Sequence, residues 1–329
     1  MTSAHTYTLK ALTDIWTGSV RLEERNGQLR ERIVPYRLIT TGLLGSIRWW
    51  FEVVVRGLGG CACDPTRTEC QDRNHCVVCE LFGCTGWARK FRFDVLDEHG
   101  QPKADQIKKS QTFKLHFTEL RPICDEEWAL LDLAIRLIAE YGAIGGKTVY
   151  KPTEETSRQS EQHHQDLGLV KLVPSTPVRQ FQEDELRRYV SLPKWRKLKQ
   201  GDFAWASLDH FWCVNGRHLA RQNPNQSTFN RVIGRPEPKA NASADDYDSW
   251  LAGKRARGGD NPQPPESKKV FSFKEPESAR RTFGFAESRD RLNEVAGVLQ
   301  EQLSKEWPGF DPKSLKKGTD ILRDLIAVK

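Results

Sequence analysis

Six of the chain's eight cysteines fall within the 24 residues from Cys61 to Cys84. They run C-x-C-x6-C-x5-C-x2-C-x4-C, through Cys61, Cys63, Cys70, Cys76, Cys79 and Cys84. Two thiolates spaced as Cys76 and Cys79 are can reach one ion within a single turn. Two more from the preceding loop complete a tetrahedral zinc site. The spacing predicts Cys63, Cys70, Cys76 and Cys79 as the ligands, with Cys84 in reserve and His75 as a less favoured substitute. The intervening DPTRTECQDRNHCVV carries little that can pack, so a metal would order it. Reduced, unligated thiols and a thioredoxin-like redox pair are the competing readings, but the redox chemistry uses two thiols at a βα junction, not six. A closed four-thiolate site leaves no open position for an activated water, so the expected Zn2+ is structural.

Other chemical motifs are incomplete. Tyr141-Gly142-Ala143-Ile144-Gly145-Gly146-Lys147-Thr148 approaches a P-loop, but Tyr141 stands where G-x-x-x-x-G-K-[ST] needs glycine. The stretch also follows a predicted helix rather than a strand. Its glycines still allow close approach of backbone to a phosphate, with Lys147 supplying charge. His163-His164, near Asp166, could serve acid–base chemistry such as metal-free RNA cleavage. The default reading of two adjacent histidines on a polar loop is solvent exposure, and no second acid or base is identifiable beside them. Neither H-E-x-x-H nor G-x-S-x-G occurs.

The charge balance is +7, from 51 Lys+Arg against 44 Asp+Glu, which is compatible with nucleic acid without demanding it. Residues 187–199 (RRYVSLPKWRKLK) hold six basic side chains and no acid, with Tyr189 and Trp195 interleaved. That combination suits a single-stranded backbone and its bases, or forms a solvated face. No apolar run approaches the ~20 residues that span a bilayer. The opening MTSAHTYTLKAL has no basic segment followed by an apolar one, so a cytoplasmic, reducing location is expected and a disulfide framework is disfavoured. The 329 residues suggest about two domains.

The elements that would position these residues follow a clear order in the first half. Residues 6–13 alternate as a strand through Tyr7, Leu9 and Ala11. Residues 42–57 form an amphipathic helix on Leu44, Ile47, Phe51, Val54 and then Leu58, with Thr40 or Thr41 as N-cap. Its Trp49-Trp50 pair reads as core. Residues 90–96 and 111–118 alternate again, through Phe91, Phe93, Val95 and Phe113, Leu115, Phe117. Residues 125–141 predict a second helix capped by Asp125 and stopped by Gly142, and 167–173 a last strand. The order is βαββαβ, the ferredoxin-like unit shared by RNA-recognition domains, here without their aromatic signature. The fold class expected is α+β, with the cysteines in an insertion at about 59–88.

The second half is less legible. Residues 202–214 and 269–274 read as strands, 287–306 as a helix through Leu292, Val295, Leu299 and Leu303, and ILRDLIAV as a final apolar run. Residues 151–166 and the proline-rich 234–269 read as long, mobile loops.

Three separated segments, TGLLGSIRWWFEVVVRGLGGCACDPT, CVVCELFGCTGWARKFRF and YGAIGGKTVYKP with HHQDLGLV, resemble bacterial members of the RAMP superfamily. Within it they are most similar to the family of first-numbered subunits of the Cmr complex, the type III-B CRISPR effector. The resemblance covers about the first 175 residues. It implies tandem ferredoxin-like RAMP domains at 1–175 and 176–329, the second with a mobile insertion at about 234–269. It implies guide and target RNA and other Cmr subunits as partners in antiviral defence, with no membrane and no small-molecule substrate. Thr41, Gly42, Ser46 and Arg48 carry over as RNA contacts, and a helix N-terminus offers N–H groups and a positive dipole end to phosphate. Trp87, Arg89 and Lys90, and the Gly145-Gly146-Lys147 loop, carry over likewise, although Trp87 reads equally well as core. The family's glycine-rich loop usually continues into a second glycine cluster. This one runs into the polar 151–166 instead, which weakens the carry-over to Lys147. Target cleavage belongs to other subunits in this family, so a non-catalytic cap near one end of the complex is expected. The alternative is a metal-independent endoribonuclease using His163 or His164.

Overall fold

The computed structural model describes residues 4–18, 20–25, 28–33, 37–64, 69–146, 152–161, 164–173, 181–198, 203–235, 250–254 and 266–327. The chain divides into two units that interleave in sequence rather than meeting at 175/176. The first holds residues 1–148, 167–204 and 323–329, and the second 149–166 and 205–322.

In the first unit, β1 (Ala4–Ala11) is followed by a hairpin of β2 (Val20–Arg25) and β3 (Gln28–Ile33). Then come α1 (Thr40–Gly57), the short α2 (Val77–Phe82), β4 (Phe91–Asp97), β5 (Thr112–Glu119), α3 (Asp125–Glu140), β6 (Val170–Leu172) and α4 (Glu183–Val190). The main sheet is antiparallel, in the order β4-β5-β1-β6. Its registers set Leu9 of β1 opposite Phe113 on one side and Leu172 on the other. Tyr7, Leu9, Ala11, Phe91, Phe93, Val95, Phe113, Leu115 and Phe117 are all buried, as their alternation requires.

Helices α1 and α3 pack on each other. The predicted apolar stripe of α1 is correct at Ile47, Phe51, Val54 and Leu58, but Leu43 rather than Leu44 is buried, together with Trp50, Val53 and Val55. The helix is enclosed beyond a single stripe because the cysteine segment and α3 both pack against it. Its N-cap is Ile39, which offers no side-chain cap, rather than Thr40 or Thr41. Every residue of α3 from Glu127 to Ala139 is buried. Its polar members are therefore paired: the Tyr7 hydroxyl donates to Asp132, and Arg136 donates to the Leu325 carbonyl near the end of the last helix. The N-cap of α3 is Cys124, not Asp125; the Glu127 carboxylate reaches back to accept from the Cys124 amide at 3.0 Å.

The second unit holds β7 (Phe211–Asn215), a ribbon of β8 (Arg221–Asn223) and β9 (Gln226–Ser227), α5 (Thr228–Val232), β10 (Val270–Phe273), β11 (Arg281–Phe285), α6 (Arg289–Glu306), β12 (Leu315–Lys317) and α7 (Gly318–Ala327), whose end belongs to the first unit. Its antiparallel sheet runs β10-β11-β7-β12. Counted by chain position within each unit, both sheets read second, third, first, fourth strand. In both, helices follow the first and third strands. Trp212, Val214, Phe229 and Val270 fill the second core, with Leu292, Leu299 and Leu303 of α6. Residues 152–161 and 164–166 contain no strand longer than an isolated bridge, which agrees with a loop there. Most of the expected loop at 234–269 lies outside the described residues, as does the side chain of Val295. Among the described residues, no helix is long and apolar enough to cross a membrane.

Candidate metal centre and nucleic-acid interface

Helix α1 ends at Gly57, and a glycine pair, Gly59 and Gly60, turns the chain into the cysteine segment. Cys76 caps α2 and Cys79 lies in its first turn, so the x2 spacing sets both sulfurs at one helix end. Cys63 and Cys70 arrive from the preceding segment. All four are buried, and their sulfurs lie within 4.8 Å of one another. The Cys63 and Cys79 sulfurs are 3.3 Å apart, and the Cys76 amide donates to Cys70 Sγ at 3.3 Å. Tetrahedral zinc at about 2.3 Å from each sulfur places sulfurs roughly 3.8 Å apart, so modest adjustment closes the site around one ion. Mutual hydrogen bonds pull the Cys70 and Cys76 thiols down and push those of Cys63 and Cys79 up. A buried set of four clustered cysteine sulfurs fits a soft or borderline divalent cation. Cys84, the reserve ligand, is only half-buried and outside the set. His75, the substitute, is engaged elsewhere: Nδ1 lies 2.5 Å from the Asp72 carbonyl and Nε2 2.7 Å from Glu80.

Arg48 does not face an open surface. Its side chain is 19 % exposed and crosses from α1 to the cysteines. Nε donates to Glu52 at 3.0 Å, Nη1 to the Gly83 carbonyl at 3.1 Å, and Nη2 to the sulfurs of Cys79 at 3.4 Å and Cys63 at 3.7 Å. Buried Glu52 is held from its other oxygen by Arg56 at 3.4 Å.

Lys90 is likewise interior. Its ammonium lies 2.9 Å from both oxygens of fully buried Glu127 and 2.6 Å from Glu80. Burial alone would lower its pKa, but these carboxylates win and raise it. Burial likewise works against the ionised Glu80, yet Lys90 and His75 hold its pKa down. Trp87 is half-buried between the His75 ring, at a centroid distance of 4.6 Å, and the Arg121 guanidinium, 4.4 Å from its own centroid. Arg89 is exposed and has no side-chain partner among the described residues. The two aromatics of the basic stretch are not free platforms for bases: Tyr189 and Trp195 are buried, the indole N–H donating to the Tyr189 carbonyl at 2.7 Å. The Arg196 amide donates to the His75 carbonyl at 3.0 Å, so this stretch lies on the cysteine segment and leaves Arg188, Lys194 and Lys197 exposed.

Thr41, Gly42, Ser46, Gly145 and Gly146 do come together. The Gly145 amide donates to Ser46 Oγ at 3.1 Å and the Gly146 amide to the Trp16 carbonyl at 2.9 Å. A Cβ on Gly42 or Gly146 would lie 2.6 or 2.7 Å from the Thr17 carbonyl oxygen, so both positions require glycine. Gly145 has φ +130°, a conformation glycine alone adopts readily. Three chain segments thus meet at the N-terminus of α1, which has no side-chain cap and no acid in its first turn. Lys147 lies outside the described residues.

Residues 8–150 match the family model described as the RAMP superfamily. That span is less than half of the chain's 329 residues. The matched span runs from within β1 through α3 and includes all four clustered cysteines and the glycine junction. Among solved structures, the chain is similar to Cmr1 from Pyrococcus furiosus in its apo form, at 12% identity over 96% of this chain and 98% of that one, with a TM-score of 0.41. It is also similar to a chain of a type IV-B CRISPR complex, at 12% identity over 55% of this chain and 94% of that one, TM-score 0.31. No curated protein matches it.

Sequence reasoning missed residues that pair in the interior of the first unit: Glu52, Glu80, Glu127 and Arg121. A signal existed for Glu52, which stands four residues from both Arg48 and Arg56 on one helix. None existed for Glu127, whose partner Lys90 is distant in sequence. Outside the RAMP span, His163 lies beyond the described residues, and the His164 side chain is 1 % exposed rather than solvated.

Proposed function

We propose that the chain is a non-catalytic RNA-binding subunit of a type III-B CRISPR (Cmr) ribonucleoprotein, capping it near one end and engaging target RNA in antiviral defence in the cytoplasm. On this reading it consists of tandem ferredoxin-like RAMP domains, consistent with the identical strand order of the two sheets. The observation that carries the reading is the meeting of Thr41, Gly42, Ser46, Gly145 and Gly146 at the uncapped N-terminus of α1 within a RAMP domain. The positive end of an 18-residue helix suits a phosphate and reads no base. Arg89 and the exposed cations of the basic stretch would add charge. Guide and target RNA and neighbouring Cmr subunits are the partners. Zn2+ held by Cys63, Cys70, Cys76 and Cys79 would have a structural part, tying the inserted segment to α1 and α2.

The rival endoribonuclease reading finds no support at His164, whose buried imidazole an RNA phosphate does not reach without rearrangement of the chain. The test is labelled single-stranded RNA titrated with the full chain at two salt concentrations, resolved on native and denaturing gels. A salt-dependent shift with intact RNA is expected, because phosphate contacts release counterions. RNA cut without added metal, with cutting lost in His163→Ala or His164→Ala, would overturn the proposal. Absence of any shift at low salt would leave a zinc-stabilised assembly protein in its place.

A further inference from the structure

The side chain of Arg48 was expected to meet RNA, and its geometry assigns it elsewhere. We infer that Arg48 is the positioning residue of the four-cysteine centre, donating to two of its sulfurs and compensating its charge. The inference rests on the reading that these cysteines hold a divalent ion.

Four thiolates around one divalent cation form a doubly negative cluster, and here all four ligands are buried. Such a charge is costly to enclose unless a cation with matching hydrogen bonds stands beside it. Among the described residues, Arg48 is the cationic side chain that donates to the cluster, reaching Cys79 Sγ at 3.4 Å and Cys63 Sγ at 3.7 Å through one nitrogen. Its two other donor directions are fixed. Glu52 takes Nε and the Gly83 carbonyl takes Nη1, so the guanidinium plane is locked with its remaining edge on sulfur. Gly83 follows α2 immediately and has φ +85°; a Cβ there would lie 2.8 Å from the Arg89 amide nitrogen. The carbonyl that Arg48 reads is thus presented by a turn that only glycine fits.

The fork also links parts of the fold that the chain brings together late. Arg48 belongs to α1, Cys63 to the segment after it, and Cys79 and Gly83 to α2. A lysine would carry the charge but could not satisfy a carboxylate, a carbonyl and two sulfurs from one rigid plane. Outer-shell partners of this kind orient ligands and tune the ion, and their loss typically costs 10–100-fold in metal affinity.

The test uses the full chain, Arg48→Gln and Arg48→Lys. Zinc stoichiometry and affinity are measured by competition with a chromophoric chelator, and each protein is also loaded with Co2+ alone for absorption spectra. The wild-type chain should bind one equivalent in a tetrahedral thiolate environment. Arg48→Gln should bind zinc roughly 10–100-fold more weakly and move the thiolate-to-cobalt charge-transfer band to lower energy, because sulfurs without N–H donors are better electron donors. Arg48→Lys should recover part of the affinity and not the band position. If Arg48→Gln does not fold, the unchanged or shifted band of Arg48→Lys decides. Equal affinity and an unshifted band in the variants, with metal bound by the wild type, would overturn the assignment. A wild-type chain that binds neither ion would instead remove the metal reading beneath it.

Discussion

Arg89 and Lys90 are adjacent in sequence and both basic, and replacing each by alanine should have opposite consequences. Lys90 Nζ sits 2.9 Å from each Glu127 oxygen and 2.6 Å from Glu80, and the Glu127 side chain is 1 % exposed. In Lys90→Ala the Glu127 carboxylate keeps the Cys124 amide and loses its cation. Stranding one member of a buried pair costs about 3–5 kcal/mol. At ~2–4 °C per kcal/mol for a unit of this size, the melting temperature of the first unit should fall by roughly 10 °C. Arg89→Ala removes an exposed side chain and should change stability by no more than about 0.5 kcal/mol. On the RNA-binding proposal, it should instead weaken binding across sequences and lower the salt slope of log K by about one. Thermal melts and RNA titrations over a sodium chloride series measure both quantities on the same preparations. A Lys90→Ala chain that melts with the wild type while losing one phosphate contact would refute the burial argument. An Arg89→Ala chain with an unchanged slope would remove Arg89 from the interface.

Two further outcomes follow from the interior. Burial pushes the Asp166 carboxyl up to about 7, although Oδ2 accepts from the Glu275 amide at 2.7 Å and the Lys274 amide at 3.0 Å, and Oδ1 is without a partner among the described residues. An acid whose folded pKa exceeds the unfolded ~3.9 costs stability as pH rises between those values, by about 4 kcal/mol once fully ionised. The stability of Asp166→Asn over wild type, read from denaturant midpoints, should therefore grow from pH 4 to 7 and then level off; a constant difference would contradict it. Gly142→Ala would place a methyl 2.5 Å from the ring of buried Trp50, whose indole donates to the Ala143 carbonyl at 2.8 Å. It should destabilise by about 1–3 kcal/mol in the same measurement, and a neutral result would show that the ring has room to move.

What the sequence made legible was whatever a local period or spacing writes. Phe91, Phe93, Val95 and Phe113, Leu115, Phe117 alternate because one face of each strand is buried, and that alternation survives without knowledge of neighbours. The Cys76-x2-Cys79 spacing is equally local, and those two sulfurs do cluster with the sulfurs of Cys63 and Cys70 from the preceding segment. The hairpin of β2 and β3 is a different case: its strands are rich in Arg and Glu, and the apolar pattern gave no sign of them. The signal was the Asn26-Gly27 pair between two six-residue runs, a turn dipeptide that outweighs composition. In the second unit, β11 is only five residues long and buried at every one, so it shows no alternation at all.

The basic residues were misread for a deeper reason. Charge in a sequence is read as charge on a surface, since an unpaired ammonium or guanidinium is not enclosed. Beyond the local Glu52, Arg48 is enclosed by sulfurs 15 and 31 positions away, and Lys90 by a carboxylate 37 positions away. Nothing in the linear neighbourhood of either residue records those partners. The same holds for Tyr189 and Trp195, whose basic flanks advertise a nucleic-acid platform while their rings are closed off beside His75. A resemblance to a family transfers residue types well and side-chain directions poorly. Of the residues it nominated, the glycines and Ser46 are placed by backbone geometry and do converge. The long cations went where their hydrogen bonds led, so mutagenesis that tests the proposed RNA interface should begin at Arg89 rather than at Arg48 or Lys90.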